Sequence, residues 1–289
     1  MRSFKELKKI EKAKKFLQEN LDLFQCPICQ EPFQSIEGNS LVCVEGHNFN
    51  VSKKGTVHFL TKGVSNEYNT EMLSSRFRIA QAGLFNHMLD EIMVHIEEKS
   101  GTTIDIGSGE GSQLNYLSSL GLEGKQIGFD ISKDAIALSG SHFTDAFWCV
   151  ADLAHSPFAS KKTDTLLNIF SPSNYQEFKR MLKPSGTLLK IVPEKDYLVE
   201  LRNLLYRDRE EKQSYSNEMV VAKFQEHFPE SQRYTIRYTF PLTLENYQDL
   251  IEMTPLSWGA SEEAKEYALA HPLKEITIHV CLLVGKIQG

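Results

Sequence analysis

The chain has 289 residues, 41% of them hydrophobic and 24% charged, with a formal net charge of −6. That is enough for one large core plus a small appendage. No apolar run approaches the ~18 residues of a membrane-spanning helix, so no membrane partner is expected. The acidic balance argues against nonspecific coating of nucleic acid.

Residues 1–20 read as a polar helix without a signal-peptide core. They carry seven Lys/Arg (Arg2, Lys5, Lys8, Lys9, Lys12, Lys14, Lys15) against three Glu. Such a patch either binds phosphate or is a solvated helix face with pairs such as Glu11–Lys15. Residues 24–60 alternate cysteine knuckles with short strands at Ser40–Cys43 and Asn48–Val51, and 61–70, with Gly63, Ser65 and Asn66, read as a linker. Residues 71–98 have helical apolar spacing through Met72, Phe77, Ile79, Leu84, Met88, Ile92 and Ile96. Strands are predicted at 103–107, 126–130, 146–150, 164–169 and 187–192, separated by helices such as 132–139 and 174–182. This alternation implies a parallel sheet covered on both faces. Tyr234–Phe240 and Ile276–Val284 read as two more strands, with a helix near 245–252 between them and the pair placed antiparallel at the edge. The expected units are a basic extension plus zinc-binding domain over 1–62 and a linker plus catalytic domain over 63–289.

Cys26, Cys29, Cys43 and His47 form C-x2-C, 13 residues, then C-x3-H. Three thiolates and an imidazole suit tetrahedral zinc, and each short spacing lets two ligands reach one ion from a single turn. Gly46 helps the second knuckle bend. Four protein ligands leave no open position, so the zinc is expected to be structural. Cys149 and Cys281 lie in apolar runs and are expected to be buried free thiols, which points to the cytoplasm.

Thr103-Ile104-Asp105-Ile106-Gly107-Ser108-Gly109-Glu110-Gly111 ends a strand and opens a helix. A dinucleotide fingerprint would run G-x-G-x-x-G/A, whereas here the glycines run G-x-G-x-G and Ser112 follows. This resembles motif I of class I S-adenosylmethionine (SAM) methyltransferases. Asp130, at the end of the second strand, can bind both ribose hydroxyls. Asp152-Leu153, after the third, stands where the adenine amino group is met. Asn168-Ile169-Phe170-Ser171-Pro172 ends the fourth strand, where such enzymes place residues beside the transferred methyl. The expected fold is therefore α/β, a Rossmann-like, mostly parallel seven-stranded sheet, with a small N-terminal zinc domain.

Zinc knuckles ahead of this methyltransferase resemble the RlmA (RrmA) family, which methylates guanine N1 in 23S ribosomal RNA. The resemblance covers nearly the whole chain after residue 20. It rests on Cys26-Pro27-Ile28-Cys29, Cys43 to His47, Lys54-Gly55-Thr56-Val57, Ala82-Gly83-Leu84-Phe85, the glycine loop and Met253-Thr254-Pro255-Leu256. Ile169 to Tyr175 and Glu275 to Ile278 look closest to the second, tylosin-resistance subgroup, which implies nucleotide 748. The resemblance implies SAM contacts at Phe85, Gly109, Glu110 and Tyr197, a structural zinc ion, an rRNA hairpin as substrate and a homodimer. Two positions depart from the family pattern: Phe85 stands where Tyr is usual and Ser108 where Cys is common. The zinc module, with Lys53 and Lys54 beside it, is expected to grip RNA, with Arg76 and Arg78 as further RNA-facing candidates. No catalytic residue is fixed by the sequence; Asn168 and the turn acids Glu194 and Asp196 are candidates for the pocket mouth. Two other readings stay open: a SAM methyltransferase acting on a small molecule or protein, and an inactive RNA-binding relative.

Overall fold

The computed structural model describes residues 7–63 and 69–287. Arg2 and Lys5 of the basic extension, and Ser65 and Asn66 of the expected linker, lie outside the described residues. Helix α1 (Lys9–Glu19) buries Ala13 and Leu17 and exposes its charged face. Strands β1 (Phe33–Glu37), β2 (Ser40–Cys43) and β3 (Asn48–Asn50) form a small antiparallel sheet carrying the knuckles. Strand β4 (Thr56–His58) leaves that sheet and pairs elsewhere.

The helix expected over 71–98 is two helices, α2 (Thr70–Gln81) and α3 (Asn86–Val94). Gly83, at φ +98°, interrupts the ladder in a region that L-residues rarely adopt. Asn69 caps α2 by accepting the Met72 N–H. There follow β5 (Thr102–Ile106), α4 (Ser112–Ser119), β6 (Lys125–Asp130), α5 (Lys133–His142), β7 (Phe147–Val150), β8 (Thr163–Ile169), α6 (Tyr175–Met181) and β9 (Leu182–Pro193). The tail adds α7 (Val199–Leu205), α8 (Glu218–His227), β10 (Gln232–Pro241), α9 (Leu244–Met253), α10 (Glu262–Ala270) and β11 (Glu275–Lys286).

The large sheet runs β10-β11-β9-β8-β5-β6-β7-β4, eight strands rather than seven. The eighth is β4, which pairs parallel to β7 with Val57 opposite Cys149. With β10 outermost, the two tail strands form the expected antiparallel pair at one edge of the sheet, and β11 lies between β10 and β9, antiparallel to both. Its central ten residues, Ile276–Gly285, are all buried, as a strand covered on both faces must be.

Side chains alternate between two cores with the strand period of two. On β9, Leu189 and Ile191 join the core shared with Met88, Leu114, Leu201 and Leu250. Leu188 and Val192 join the other, with Leu17, Phe33, Phe178 and Phe224. That second core also takes in Phe24, Phe49 and Phe59 of the ribbon, packed with Phe147 and Phe158 of the catalytic half. Each buried phenylalanine contributes about 1.5–3 kcal/mol. The aromatic seam therefore anchors the ribbon more firmly than the three-residue β4 pairing. Cys149 and Cys281 are buried free thiols, as expected.

Candidate active site and metal centre

Cys26 and Cys29 flank a tight turn in which the Gln30 N–H donates to the Cys26 carbonyl (2.7 Å), with Gln30 at φ +62°. In the second knuckle the Gly46 N–H donates to the Cys43 carbonyl (2.9 Å), and Gly46 supplies φ +81°. These turns bring four ligand atoms within 4.8 Å of one another. The Cys29 and Cys43 sulfurs are 3.7 Å apart, and His47 Nδ1 lies 3.7 Å from Cys26 Sγ and 3.5 Å from Cys43 Sγ. A zinc tetrahedron with Zn–S near 2.3 Å and Zn–N near 2.05 Å has edges of roughly 3.8 Å (S–S) and 3.6 Å (S–N). The residues fit the ion, and the four protein ligands fill its tetrahedron.

The second site lies at the carboxyl edge of the parallel strands, where open α/β sheets bind ligands. A cavity of about 250 Å³ is lined by Gly107, Gly109, Asp130, Asp152, Leu153 and Phe170, among others. The turn after β5 needs its glycines. Gly107, Gly109 and Gly111 stand at φ +70°, +55° and +85°. A Cβ on Gly107 would sit 2.6 Å from Ser171 Cβ, and one on Gly111 2.7 Å from the Trp148 ring. Asp130 ties this loop to β6. Its Oδ2 accepts the Gly109 N–H (2.9 Å) and its Oδ1 the Ser132 N–H (2.8 Å). A carboxylate has about four lone-pair sites, so acceptor capacity remains for ligand hydroxyls.

Asp105, Glu110, Gly111, Phe85 and Tyr197 stand behind the cavity wall. Phe85 packs on Phe170 (centroids 6.0 Å apart), and Phe170 packs on Tyr197 (5.3 Å). Phe170, held at φ +55°, thus carries both expected aromatics to the cavity at second hand. Glu110 is buried and forms a 3.1 Å ion pair with Arg76 that is not aligned as a hydrogen bond. Asp105 is buried, and its Oδ2 has no hydrogen-bond partner among the described residues. An orphaned acceptor beneath a strained glycine loop, with the carboxylates and the Arg76 cation beside that loop, suits a zwitterionic nucleoside such as SAM.

Burial, then repulsion from Glu110, pushes the Asp105 carboxyl up to about 7. The native chain therefore keeps a proton that the unfolded chain loses near pH 4. The resulting stability is present at low pH and declines as pH rises through 7. We expect the wild-type-minus-Asp105→Asn difference in unfolding free energy to fall by up to ~3–4 kcal/mol between pH 4 and 8. Denaturant titrations of both proteins check this; a flat difference would contradict it.

Asn168 is fully buried, and its amide is spent on the loop. It donates to Ser171 Oγ (2.5 Å) and the Pro172 carbonyl (2.9 Å), and it accepts from Lys190 Nζ (2.5 Å). Burial pulls the Lys190 ammonium down to about 8. Glu194 accepts from Arg233 (2.5 Å), and Asp196 lies 3.3 Å from both Arg237 and His279. Arg78 binds Asp249 with Nε (2.9 and 3.1 Å), tying α2 to α9. Phe170, in the run expected beside the transferred methyl, lines the cavity. Sequence reasoning missed Lys190 and the cavity-side place of Arg76; both depend on contacts between distant segments, which spacing does not encode.

A family model described as the RlmA N-terminal zinc ribbon matches residues 24–61, and one described as a methyltransferase domain matches residues 97–240. The chain is 40% identical over 276 residues (92% of it, 98% of the relative) to YxjB of Bacillus subtilis, named as a candidate 23S rRNA (guanine-N1)-methyltransferase. It is 27% identical over 271 residues (90% and 95%) to the 23S rRNA (guanine(748)-N1)-methyltransferase of Streptomyces fradiae. A protein of Micromonospora griseorubida with a name like that of YxjB is 26% identical (86% and 92% coverage).

Proposed function

The chain belongs to the family of 23S rRNA (guanine-N1)-methyltransferases with an RlmA-type zinc ribbon, and we propose that its own target is guanine 748. The observation that carries the function is one packed body holding both a closed Cys3His tetrahedron and a cavity lined by Gly107, Gly109, Asp130 and Asp152. The position rests on the relative named for guanine 748 and on the subgroup resemblance of Ile169 to Tyr175. The family resemblance supports a homodimer, and the buried free thiols Cys149 and Cys281 support a cytoplasmic enzyme. Among the described residues no helix is long and apolar enough to cross a membrane.

Bound SAM would supply a methyl on a sulfonium centre, so the protein must orient the two reactants and exclude water. Asp130 and Asp152 would hold the nucleoside end, with Asp105 and Arg76 near the amino-acid end. Phe170, Ser171 and Pro172 would line the methyl side, with Asn168 and Lys190 fixing that loop from beneath. The ring nitrogen N1 lies on the Watson–Crick edge, so the guanine must be unpaired or extruded to reach the cavity.

Incubation of the protein with SAM and a hairpin spanning position 748 is expected to yield 1-methylguanosine on nucleoside analysis. Methylation at another atom, or none on any 23S rRNA, would overturn the reading.

A further inference from the structure

A second groove, of about 390 Å³, lies between α1 and the far end of α5. Lys9, Lys12 and Lys15 enter it from successive turns of α1, and Lys54 enters from the turn before β4. Among the described residues two acids, Glu19 and Asp145, line it against these four lysines, although the chain as a whole is acidic. Three of the ammonium groups reach acceptors across the groove, while exposed Lys15 lies 3.8 Å from Glu19 on its own helix. Lys9 Nζ reaches the Gly140 (3.0 Å) and Ser141 (2.5 Å) carbonyls, Lys12 Nζ reaches Thr144 Oγ1 (3.3 Å), and Lys54 Nζ reaches the Ala137 carbonyl (3.5 Å). The Lys54 ammonium carries three donors, of which the Ala137 carbonyl takes up one. Capping the carboxyl end of α5 needs one cation, and Lys9 already provides it.

The groove is linked to the methyl-transfer cavity by two helices. α5 and its cap run from Ser132 and Ala135 at the cavity to Gly140 at the groove, at most roughly 12 Å along the helix axis. On α2, Arg76 lines the cavity while Phe77 packs on His142 beside the groove (centroids 4.4 Å apart).

We propose that this groove binds the phosphodiester backbone of the substrate RNA, so that the basic helix α1 acts as a clamp on the stem beyond the modified base. The proposal rests on the RNA-methylating function above. A stem gripped there would release counterions, and the salt dependence of binding counts them: about 0.9 in the log–log slope per duplex phosphate neutralised.

The test compares wild type with the Lys15→Ala/Lys54→Ala double variant, which leaves Lys9 in place, in hairpin-RNA binding between 50 and 300 mM KCl. The expected result is a slope smaller by about 2 and a Kd at least about tenfold weaker at 150 mM, with an unchanged melting temperature. A Lys223→Ala/Lys274→Ala variant, altered at exposed lysines elsewhere, should keep the wild-type slope. If wild type binds the hairpin and the Lys15/Lys54 variant matches it in slope and Kd, the groove is not an RNA site. If wild type itself fails to bind, the functional reading falls instead. An unfolded double variant would be replaced by Lys15→Ala and Lys54→Ala singly, each expected to lower the slope by about 1.

Discussion

Replacing Cys43 with serine is expected to abolish zinc binding and to lower the melting temperature of the whole chain, not of the ribbon alone, by at least about 10 °C. Structural zinc contributes roughly 10–16 kcal/mol of apparent binding free energy to small modules that cannot fold without it. The ribbon is not an independent bead. Phe24 packs on Phe147 and Phe158, and β4 completes the edge of the large sheet beside β7. Losing the tetrahedron frees both knuckles and exposes that aromatic seam. Even half of the lower figure, about 5 kcal/mol, corresponds to a shift of roughly 10 °C or more at 2–4 °C per kcal/mol. Scanning calorimetry with metal analysis checks this, and a strong chelator should reproduce it. A separate low-temperature transition for the ribbon, with the main transition unmoved, would contradict the shared core.

Gly107→Ala should weaken SAM binding by roughly 30- to 1,000-fold while leaving the chain folded. The new Cβ meets Ser171 Cβ at 2.6 Å, and the residue is held at φ +70°. Left-handed backbone costs about 1 kcal/mol and overpacking a further 1–3, each 1.4 kcal/mol being tenfold in affinity. Ser171 cannot yield cheaply, because its hydroxyl donates to the Ile106 carbonyl at 2.5 Å and accepts from Asn168. The movement is therefore passed to Phe170 and Pro172 on the cavity wall. Gly109→Ala should cost less, since its Cβ would stand 3.7 Å from Arg76 Nε. Gly38→Ala, equally left-handed but with no atom within 4 Å of its Cβ, is the control and should bind SAM as wild type does. Titration calorimetry ranks the three; equal affinity for Gly107→Ala and Gly38→Ala would show that the cavity is not the cofactor site.

The central strands were legible because a strand buried on both faces is mostly apolar, as Leu188–Val192 is apart from Lys190 and Ile276–Val284 apart from Thr277 and His279. The metal site was legible because ligand spacing is local: each knuckle is a single turn. β4 was not. Three residues are too few for a periodicity, and Thr56–His58 becomes a strand only because β7 offers an open edge. The break between α2 and α3 carried its signal in Gly83, but continuous apolar spacing on both sides masked it. The amide of Asn168 and the guanidinium of Arg76 illustrate a different limit. Sequence gave each a chemistry, while its partner, Lys190 or Glu110, was set by the packing of distant segments. A polar side chain's role follows from which partner claims it, and that is a tertiary fact.

The most direct test is primer extension through position 748 of 23S rRNA from cells carrying the gene, lacking it, and lacking it but supplied with wild-type or Gly107→Ala protein. Methylation at N1 blocks Watson–Crick pairing and halts reverse transcription one nucleotide before the modified base. The expected pattern is a stop in the parent, its loss on deletion, its return with wild type and not with Gly107→Ala. A stop pattern through 23S rRNA that deletion leaves unchanged would contradict the account.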